Sequence, residues 1–354
     1  MVGISLLTLV PGISGGSETY ARELCRALAR VGKLEYRVFV PSIARDAGDG
    51  LPTTVVEDYR ASRSMPGRIV AMSAAAARPG PLRRALAVDE LDALHFPLSV
   101  MLPPVRRPPA VTTVLDLQHE EHPEFFGRAE LAYRKRVYGW TVRRSRIVVA
   151  ISEHGRQTLI ERYRLAPERV RAIHLAVDHE RFFPDDRPRG DYLLYPARPW
   201  PHKNHARLYE AFARVRREYT RLRLVLTGEG DFGDVPAGVD VRGRVAADEL
   251  VSLYRGAAAV VFPSLYEGFG MPVVEAMACG CPVACSNVTS LPEVVGDAAR
   301  LFDPRDVDDI AAAIDEVLRN PEPYAARGLE RAGLFTWDAN ARAHDEIYRE
   351  LASS

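Results

Sequence analysis

Two carboxylates flank a glycine-rich turn within the stretch Val260–Pro304. Glu267 and Glu275 are separated by seven residues, with two glycines between them and Pro272 at the predicted start of a helix. Glycines let backbone N–H groups approach a ligand closely, and a helix amino terminus attracts an anion. Carboxylates accept hydrogen bonds from sugar hydroxyls. The pattern fits a sugar nucleotide; taken alone, it also fits a capping acid and a surface acid around an ordinary turn.

Two cations occupy a loop earlier in the same half of the chain. Arg198 and Lys203 follow an apolar segment, Tyr192–Pro196, that we predict as a strand, and they precede a helix predicted over Ala206–Tyr219. Cations at a helix start hold a diphosphate and stabilise charge that develops on it. The alternative is a surface loop with two unrelated cations. Lys203 is one of only three lysines in the chain, so we favour the diphosphate site.

A pair of glycines near the amino terminus is a second candidate anion site. Gly15 and Gly16 lie between a strand predicted over Gly3–Val10 and a helix predicted over Glu18–Val31, with Ser17 as the predicted N-cap. A glycine loop at a helix start binds anions, but it is also what a tight turn between a strand and a helix requires. Both interpretations stand on the sequence alone.

Polar side chains also follow a strand predicted over Ala110–Leu115. Asp116 and His119 come directly after it. Ligands of doubly wound sheets bind at the carboxyl ends of strands. Either side chain there would position or deprotonate an acceptor hydroxyl. The alternative is a polar loop whose acids cap the helix that follows.

The stretch around Glu267 resembles the E-x7-E signature of the retaining glycosyltransferases of family 4, which have the GT-B fold. The resemblance extends to Pro263-Ser264 before the turn and to the run S-L-P-E at residues 290–293 after it. The loop Y-P-A-R-P-W-P-H-K-N-H at residues 195–205 is similar to that of the mannosyltransferase-like members. Arg198 stands where that subgroup usually has Asn, which adds a cation.

This resemblance implies a role for each candidate residue. Glu267 and the amides of Phe269 and Gly270 would hold the donor sugar, and Glu275 would hold the ribose hydroxyls. The groups implied to stabilise the leaving diphosphate are Arg198, Lys203, the Gly15-Gly16 amides and the helix start at Met271. The backbone at Arg244 and Val245 would border the nucleobase.

The segment V-L-D-L-Q-H-E-E-H-P-E-F-F at residues 114–126 resembles the family pattern H-D-L-x5-P-E-F-F. Leu115 stands where the family usually has His. Either His119 takes over part of that role, or the acceptor is handled differently.

Composition excludes several classes of protein. The chain has 354 residues, 47% of them hydrophobic, and equal numbers of basic and acidic residues. A net charge of zero argues against general nucleic-acid binding. The first residues, M-V-G-I-S-L-L-T-L-V-P-G, are too short for a signal peptide or membrane span, so we expect a buried strand there. Three of the four cysteines, Cys279, Cys281 and Cys285, cluster without a fourth ligand, which favours plain core over zinc.

Strands and helices alternate through both halves of the sequence, which predicts an α/β protein with parallel sheets. We expect two Rossmann-like domains facing across a cleft, the GT-B arrangement. The predicted boundaries are 1–178 for the acceptor-binding domain, 179–190 for a linker, 191–335 for the nucleotide-sugar domain and 336–354 for a final helix that crosses back onto the first domain.

These inferences predict a metal-independent enzyme without a cofactor, whose co-substrate is a nucleotide diphosphate sugar. We expect it to transfer a hexose to a hydroxyl of a glycan or lipid-linked glycan, as in polysaccharide biosynthesis. We favour mannose as the sugar and GDP-mannose as the donor. Alternatives are a UDP- or dTDP-sugar donor with a natural-product acceptor, an epimerase or phosphorylase of the same fold, and a non-catalytic sugar-nucleotide binder. We expect a cytoplasmic location; the sequence leaves peripheral contact with the inner membrane face and the oligomeric state open.

Overall fold

A computed structural model describes residues 1–13 and 15–353 of the chain, which fold as two units. Unit 1 comprises Met1–Leu175 together with Trp337–Ser354, and unit 2 comprises Ala176–Thr336. Among the described residues, no helix combines the length and apolar character needed to cross a bilayer.

Unit 1 is built on a seven-stranded sheet with the order β3-β2-β1-β4-β5-β6-β7, in which every pair is parallel. Its strands are β1 (Val2–Ser5), β2 (Tyr36–Pro41), β3 (Thr53–Val56), β4 (Ala93–Phe96), β5 (Ala110–Val114), β6 (Ile147–Ala150) and β7 (Val170–Ala172). Its helices are α1 (Gly16–Val31), α2 (Met65–Ala77), α3 (Gly80–Ala85), α4 (Gln118–Glu121), α5 (Arg128–Arg144) and α6 (Glu153–Tyr163).

Unit 2 repeats the design with a six-stranded parallel sheet, β10-β9-β8-β11-β12-β13. Its strands are β8 (Tyr192–Pro196), β9 (Arg223–Thr227), β10 (Val239–Val241), β11 (Ala259–Phe262), β12 (Val283–Ser286) and β13 (Arg300–Phe302). Its helices are α7 (His205–Val215), α8 (Ala247–Gly256), α9 (Met271–Ala278), α10 (Leu291–Val295), α11 (Val307–Arg319) and α12 (Pro321–Ala332), and the chain ends with α13 (Trp337–Ala352), which belongs to unit 1.

The central strands are continuous apolar runs, as expected for parallel sheets covered on both faces. β6 and β11, for example, are buried at all four positions. Two parallel-sheet α/β units confirm the predicted fold class. The four cysteines are buried and unlinked, and burial raises the pKa of the Cys279 and Cys281 thiols to about 12. Among residues 1–13 and 15–353, no cluster of His, Cys, Asp and Glu could hold a metal ion.

The helices of the structure differ from the predicted ones in places. Ser17 is not the N-cap of α1, because the helix begins at Gly16, two residues before the predicted start, with Gly15 in the cap position. The composition of the segment 61–84 allowed for a helix, and one is present as α2, followed by α3. Among the helices longer than ten residues, α6 and α12 had not been predicted at all. Ser152 caps α6 by accepting a hydrogen bond from the Gly155 N–H at 3.0 Å.

The segment predicted as a linker, residues 179–190, groups with unit 2. The Arg189 guanidinium donates to the carbonyl oxygens of Arg255 and Ala257 at 3.2 and 3.0 Å. The Gly190 N–H donates to the Gly256 carbonyl at 2.8 Å. These main-chain contacts attach the segment to the end of α8.

The final helix, α13, packs against α1 within unit 1. Helical spacing in the sequence predicts one inner side for this helix, and all its residues are buried: Trp337, Ala341, His344, Ile347, Tyr348 and Leu351. Amphipathic spacing alone therefore located this face correctly.

A buried polar network joins α13 to the sheet. The Tyr348 hydroxyl lies 2.7 Å from His95 Nδ1, and His95 Nε2 lies 2.9 Å from the Thr113 hydroxyl. The Tyr20 hydroxyl bridges Thr113 at 2.9 Å and His344 Nε2 at 3.1 Å. Burial lowers the pKa of His344 to about 4 and that of His95 well below its ordinary value, so both rings are neutral at pH 7.

We predict that Tyr348→Phe loosens α13, because it leaves His95 Nδ1 buried without its hydroxyl partner. An unpaired buried polar group costs roughly 1–3 kcal/mol. Amide hydrogen exchange in residues 337–352, measured by mass spectrometry, should become about 5- to 150-fold faster. The matched control is Tyr133→Phe, which removes a hydroxyl that lies 3.7 Å from the Met72 sulfur. Equal exchange in wild type and both variants would contradict the role of the network.

Candidate active site

In unit 2, the sheet order reverses direction between β8 and β11. The chain passes from β8 to β9 and β10 on one side of the sheet and later from β11 to β12 and β13 on the other. The loops that leave the carboxyl ends of β8 and β11 therefore diverge here, and such a switch point is where doubly wound sheets bind ligands. The first loop carries Arg198 and Lys203, and the second carries Glu267 and Gly270.

An ion pair connects these two loops. Lys203 Nζ lies 2.5 Å from Glu267 Oε1, and each side chain is only 12% exposed. The ammonium also lies 5.2 Å from the centre of the Phe262 ring. The loop backbones are joined beside the pair, since the Leu265 N–H donates to the His202 carbonyl at 2.7 Å. Two predicted catalytic residues are thus in direct contact, although 64 positions separate them.

Asn204 fixes the cationic loop, a role that the sequence analysis missed. Its side-chain Nδ2 donates to the carbonyl oxygens of Pro263 and Pro304 at 3.0 and 2.7 Å, and the residue is buried. Its φ of 59° is left-handed, a conformation that Asn tolerates better than most residues. The sequence feature that could have indicated this role is the asparagine directly after Lys203.

The turn that carries Glu267 is held by two hydroxyls. The Glu267 N–H donates to Thr289 Oγ1 at 3.1 Å. The buried Ser290 hydroxyl bonds to the carbonyl oxygens of Glu267 and Phe269 at 3.0 and 3.1 Å. The run S-L-P-E noted in the sequence therefore begins with the residue that locks the carboxylate-bearing turn.

Gly270 is the N-cap of helix α9, and two features of the structure require glycine at this position. Its φ is 103°, which side chains rarely adopt, and a Cβ would lie 2.6 Å from Leu291 Cδ2. The Phe269 ring is buried and packs edge-on against Phe335 at 5.5 Å, so its backbone rather than its ring is available to a ligand. Met271, the first helical residue, is half-buried.

Glu275 lies one turn into α9, on the same face as Met271, and is half-buried. The Tyr254 hydroxyl donates to its Oε2 at 2.8 Å. Burial raises the pKa of the Glu275 carboxyl, while the Tyr254 hydrogen bond and the nearby Arg181 charge act in the opposite direction. Tyr254 orients this carboxylate; no local sequence pattern connects the two residues, and the contact had not been predicted.

The remaining unit 2 candidates are more exposed. Arg198 is 44% exposed, lies 3.7 Å from Glu229 and stacks over Trp200 at 5.7 Å. Arg244 is exposed and Val245 is half-buried. Both follow β10, two strands from β8 and therefore roughly 10 Å along the same sheet edge.

In unit 1, the two glycines also follow a strand at a switch point, here between β1 and β4. Gly15 has a φ of 50°, and a Cβ on either Gly15 or Gly16 would meet no atom of the described, non-adjacent residues within 4 Å. The Gly12 N–H donates to Glu18 Oε2 at 2.8 Å. The start of α1 is therefore open on the ligand-binding edge of this sheet.

Asp116 and His119 have very different surroundings. Asp116 is 41% exposed, accepts from the Gln118 N–H at 2.7 Å and lies 3.7 Å from Arg134. His119 is completely buried, with Nε2 at 3.2 Å from the Tyr163 hydroxyl, and burial lowers its pKa to about 4. The expectation that His119 itself touches an acceptor needs correction, because the ring has no exposed surface.

We predict that Tyr254→Phe raises the pKa of Glu275 further. The hydroxyl hydrogen bond favours the ionised carboxylate, and its loss leaves the raising effect of burial less opposed. Carbon NMR titration of the Glu275 carboxyl would show a midpoint above that of the wild type. In the control Tyr192→Phe, which removes a hydroxyl bonded to the Leu253 carbonyl at 2.8 Å, the midpoint should not move. A lower midpoint in Tyr254→Phe would contradict the assignment.

Two family models together span most of the chain. The model described as Glycosyltransferase Family 4 matches residues 14–181, and the one described as Glycosyl transferases group 1 matches residues 178–331. O-antigen chain mannosyltransferase B of Escherichia coli is 33% identical over 73% of this chain and 74% of its own length. MMP alpha-(1->4)-mannosyltransferase of Mycolicibacterium hassiacum is 30% identical over 61% of this chain and 58% of its own length.

Solved structures agree with this relationship at the level of the fold. Sucrose-phosphate synthase from Thermosynechococcus elongatus superimposes with a TM-score of 0.72 at 21% identity, over 100% of this chain and 99% of its own. WaaG, a glycosyltransferase involved in lipopolysaccharide biosynthesis, gives 0.72 at 15% identity, over 98% and 99%. The chain therefore belongs to glycosyltransferase family 4, is related to the mannosyltransferases of that family, and is a glycosyltransferase of the GT-B fold.

Proposed function

We propose that this enzyme transfers mannose from GDP-mannose to a hydroxyl of a glycan or lipid-linked glycan, with retention at the anomeric carbon. The observation that carries the proposal is the contact between Lys203 and Glu267 at the switch point of unit 2, beside the glycine turn. An ammonium suits a diphosphate and a carboxylate suits sugar hydroxyls, so the pair matches the two parts of a donor that meet at the scissile bond. The mannosyltransferase names of two relatives support mannose as the sugar.

In this proposal, departure of GDP places negative charge on the β-phosphate. Lys203 and the exposed Arg198 would neutralise that charge, and so would the amides of Gly15 and Gly16. The N–H groups at the Met271 helix start would add a partial positive charge. These fixed cations would do the work that a divalent metal does in other transferases, so the reaction would be metal-independent.

Glu267 would orient the sugar and stabilise positive charge on its ring, together with the backbone amides of Phe269 and Gly270. Glu275, oriented by Tyr254, would accept hydrogen bonds from the ribose hydroxyls, and the Arg244-Val245 backbone would border the base. We assign no carboxylate as a covalent nucleophile. Retention would follow from attack of the acceptor on the face that the diphosphate leaves.

On the acceptor side, Asp116 is the exposed candidate for positioning the attacking hydroxyl. His119 would act through its neighbours: its ring lies 3.2 Å from the Tyr163 hydroxyl, which donates to Glu120 at 2.8 Å. We therefore assign His119 a positioning role for the loop after β5. A lipid-linked acceptor would also bring the enzyme to a membrane surface as a peripheral protein.

We predict that GDP raises the melting temperature more than UDP, dTDP or ADP. Ligand at about one hundred times its dissociation constant adds roughly 2.7 kcal/mol of stability, which is a shift of several degrees for units of this size. Glu275→Ala should abolish most of the shift because it removes the ribose contact. Glu322→Ala, an exposed acid at the start of α12, is the matched control and should keep it.

A larger shift with UDP or dTDP would reject GDP-mannose and retain the nucleotide site. No shift with any nucleotide, or an undiminished shift in Glu275→Ala, would reject the site.

A further inference from the structure

One side of unit 1 has a cavity of about 1080 Å³ between α2, α5 and the loop that follows β4. Its floor is apolar and includes Met72, Met101 and Val137. Neither the donor site nor the acceptor candidates lie among the residues that line it. The proposed transfer reaction therefore does not explain which residues line this cavity.

The rim of this cavity is strongly basic. Arg106, Lys135, Arg136, Arg143 and Arg144 line it, and all five are exposed. Two adjoining smaller cavities share Arg106 and Arg144 and extend the surface to three more exposed cations, which are Arg84, Arg107 and Arg146. We call these eight side chains and the apolar floor the basic face.

The charge of the basic face is not balanced locally. Within residues 1–13 and 15–353, none of the eight cations forms an ion pair with a carboxylate. In the described part of the chain, Asp89 and Glu90 are the only acids that line the three cavities. Because the whole chain has no net charge, this concentration of positive charge marks a surface for an anionic partner.

Part of the basic face lies at the edge of the sheet opposite to the ligand-binding edge. Arg106 and Arg107 precede β5, Arg146 precedes β6, and Asp89 and Glu90 precede β4, so this part of the face borders the amino ends of the strands. Gly15 and Asp116 follow the carboxyl ends. These cations therefore lie at the edge of the sheet opposite to the one where a nucleotide would bind.

Apolar side chains are exposed beside the cations. Trp140 is 40% exposed, and the Arg144 guanidinium lies 5.4 Å from the centre of its ring. On α2, Ile69 and Val70 are 36% and 67% exposed, and Ile69 shares a helical face with Met72, which lines the cavity. Tryptophan, aliphatic residues and arginines whose stems lie along apolar surface are the mixture found at bilayer interfaces.

We propose that the basic face docks the enzyme on a bilayer that contains anionic phospholipids. The arginines contact lipid phosphates, while Trp140, Ile69 and Val70 enter the headgroup region. A nucleic acid would satisfy the cations but offers nothing to exposed aliphatic side chains. The inference deepens the peripheral contact of the proposed function by naming the surface and the lipid charge.

The test is co-sedimentation of the full chain with vesicles. One set contains about 30 mol% phosphatidylserine in phosphatidylcholine, and the other contains phosphatidylcholine alone. The test variant is Arg106→Gln/Arg136→Gln/Arg144→Gln, and Trp140→Ala tests the apolar part. The matched control, Arg217→Gln/Arg221→Gln/Arg305→Gln, removes three exposed arginines from unit 2.

We expect binding to the anionic vesicles and not to the neutral ones. Each cation strengthens such binding about fivefold, so the triple variant should bind roughly 100-fold more weakly. Trp140→Ala should also bind more weakly, the unit 2 control should bind like wild type, and a short RNA should not compete.

Absence of anionic-vesicle binding, equal loss in the unit 2 control, or displacement by RNA at equal phosphate would overturn the proposal. Nucleotide-induced stabilisation of the triple variant is a separate readout. It should persist, so a failure of membrane docking is distinguishable from a failure of the proposed transfer reaction.

Discussion

The contact between Lys203 and Glu267 is the interaction on which the rest of the candidate site depends. It exists because every strand of the unit 2 sheet is parallel, which brings the loops after β8 and β11 to the same edge of the sheet. Around it, Asn204 anchors one loop and Ser290 the other. Gly270 then turns the chain into α9 where a larger residue would clash with Leu291. Each of these contacts limits the positions that the two charges can take.

The shielding of this pair suggests how the site selects its donor. Both side chains are 12% exposed, and a partly buried charge that loses its partner is strongly destabilised. A ligand that separates the two must therefore provide an anion for the ammonium and hydroxyl groups for the carboxylate. A nucleotide diphosphate sugar does both, whereas a free sugar or free phosphate provides only one. In our proposal, this requirement contributes to donor specificity together with the shape of the site.

Much of this architecture could be predicted from the chain itself. Alternating apolar and amphipathic segments predicted two parallel-sheet units, and helical spacing placed α13 with its inner face correctly. Local patterns also singled out Lys203, Glu267 and Glu275 as candidates, because their loops have recognisable strand–turn–helix order, and the structure places the first two in contact. These predictions have a common basis, because the information behind each lies within a short window of sequence.

What could not be predicted depends on contacts between distant segments. Nothing near Glu275 indicates that Tyr254 donates to it, and nothing near Asp116 indicates that His119 is buried under Tyr163 and Tyr138. The N-cap prediction at Ser17 failed because α1 begins at the glycines themselves. The basic face combines four cations of α5, which the sequence shows as a basic helix, with four more from α3 and two loops, so its full extent depends on the fold.

The most direct test of the central claim compares the affinities of GDP-mannose and GDP by calorimetry in wild type, Glu267→Gln and Glu275→Gln. If Glu267 holds the sugar, its substitution should lower the preference for GDP-mannose over GDP by roughly 10- to 100-fold, as expected for hydrogen bonds to a charged group. Glu275→Gln should weaken both ligands together and leave the preference unchanged. A preference that is the same in Glu267→Gln and wild type would contradict the account, because the sugar would then bind without the carboxylate that Lys203 contacts.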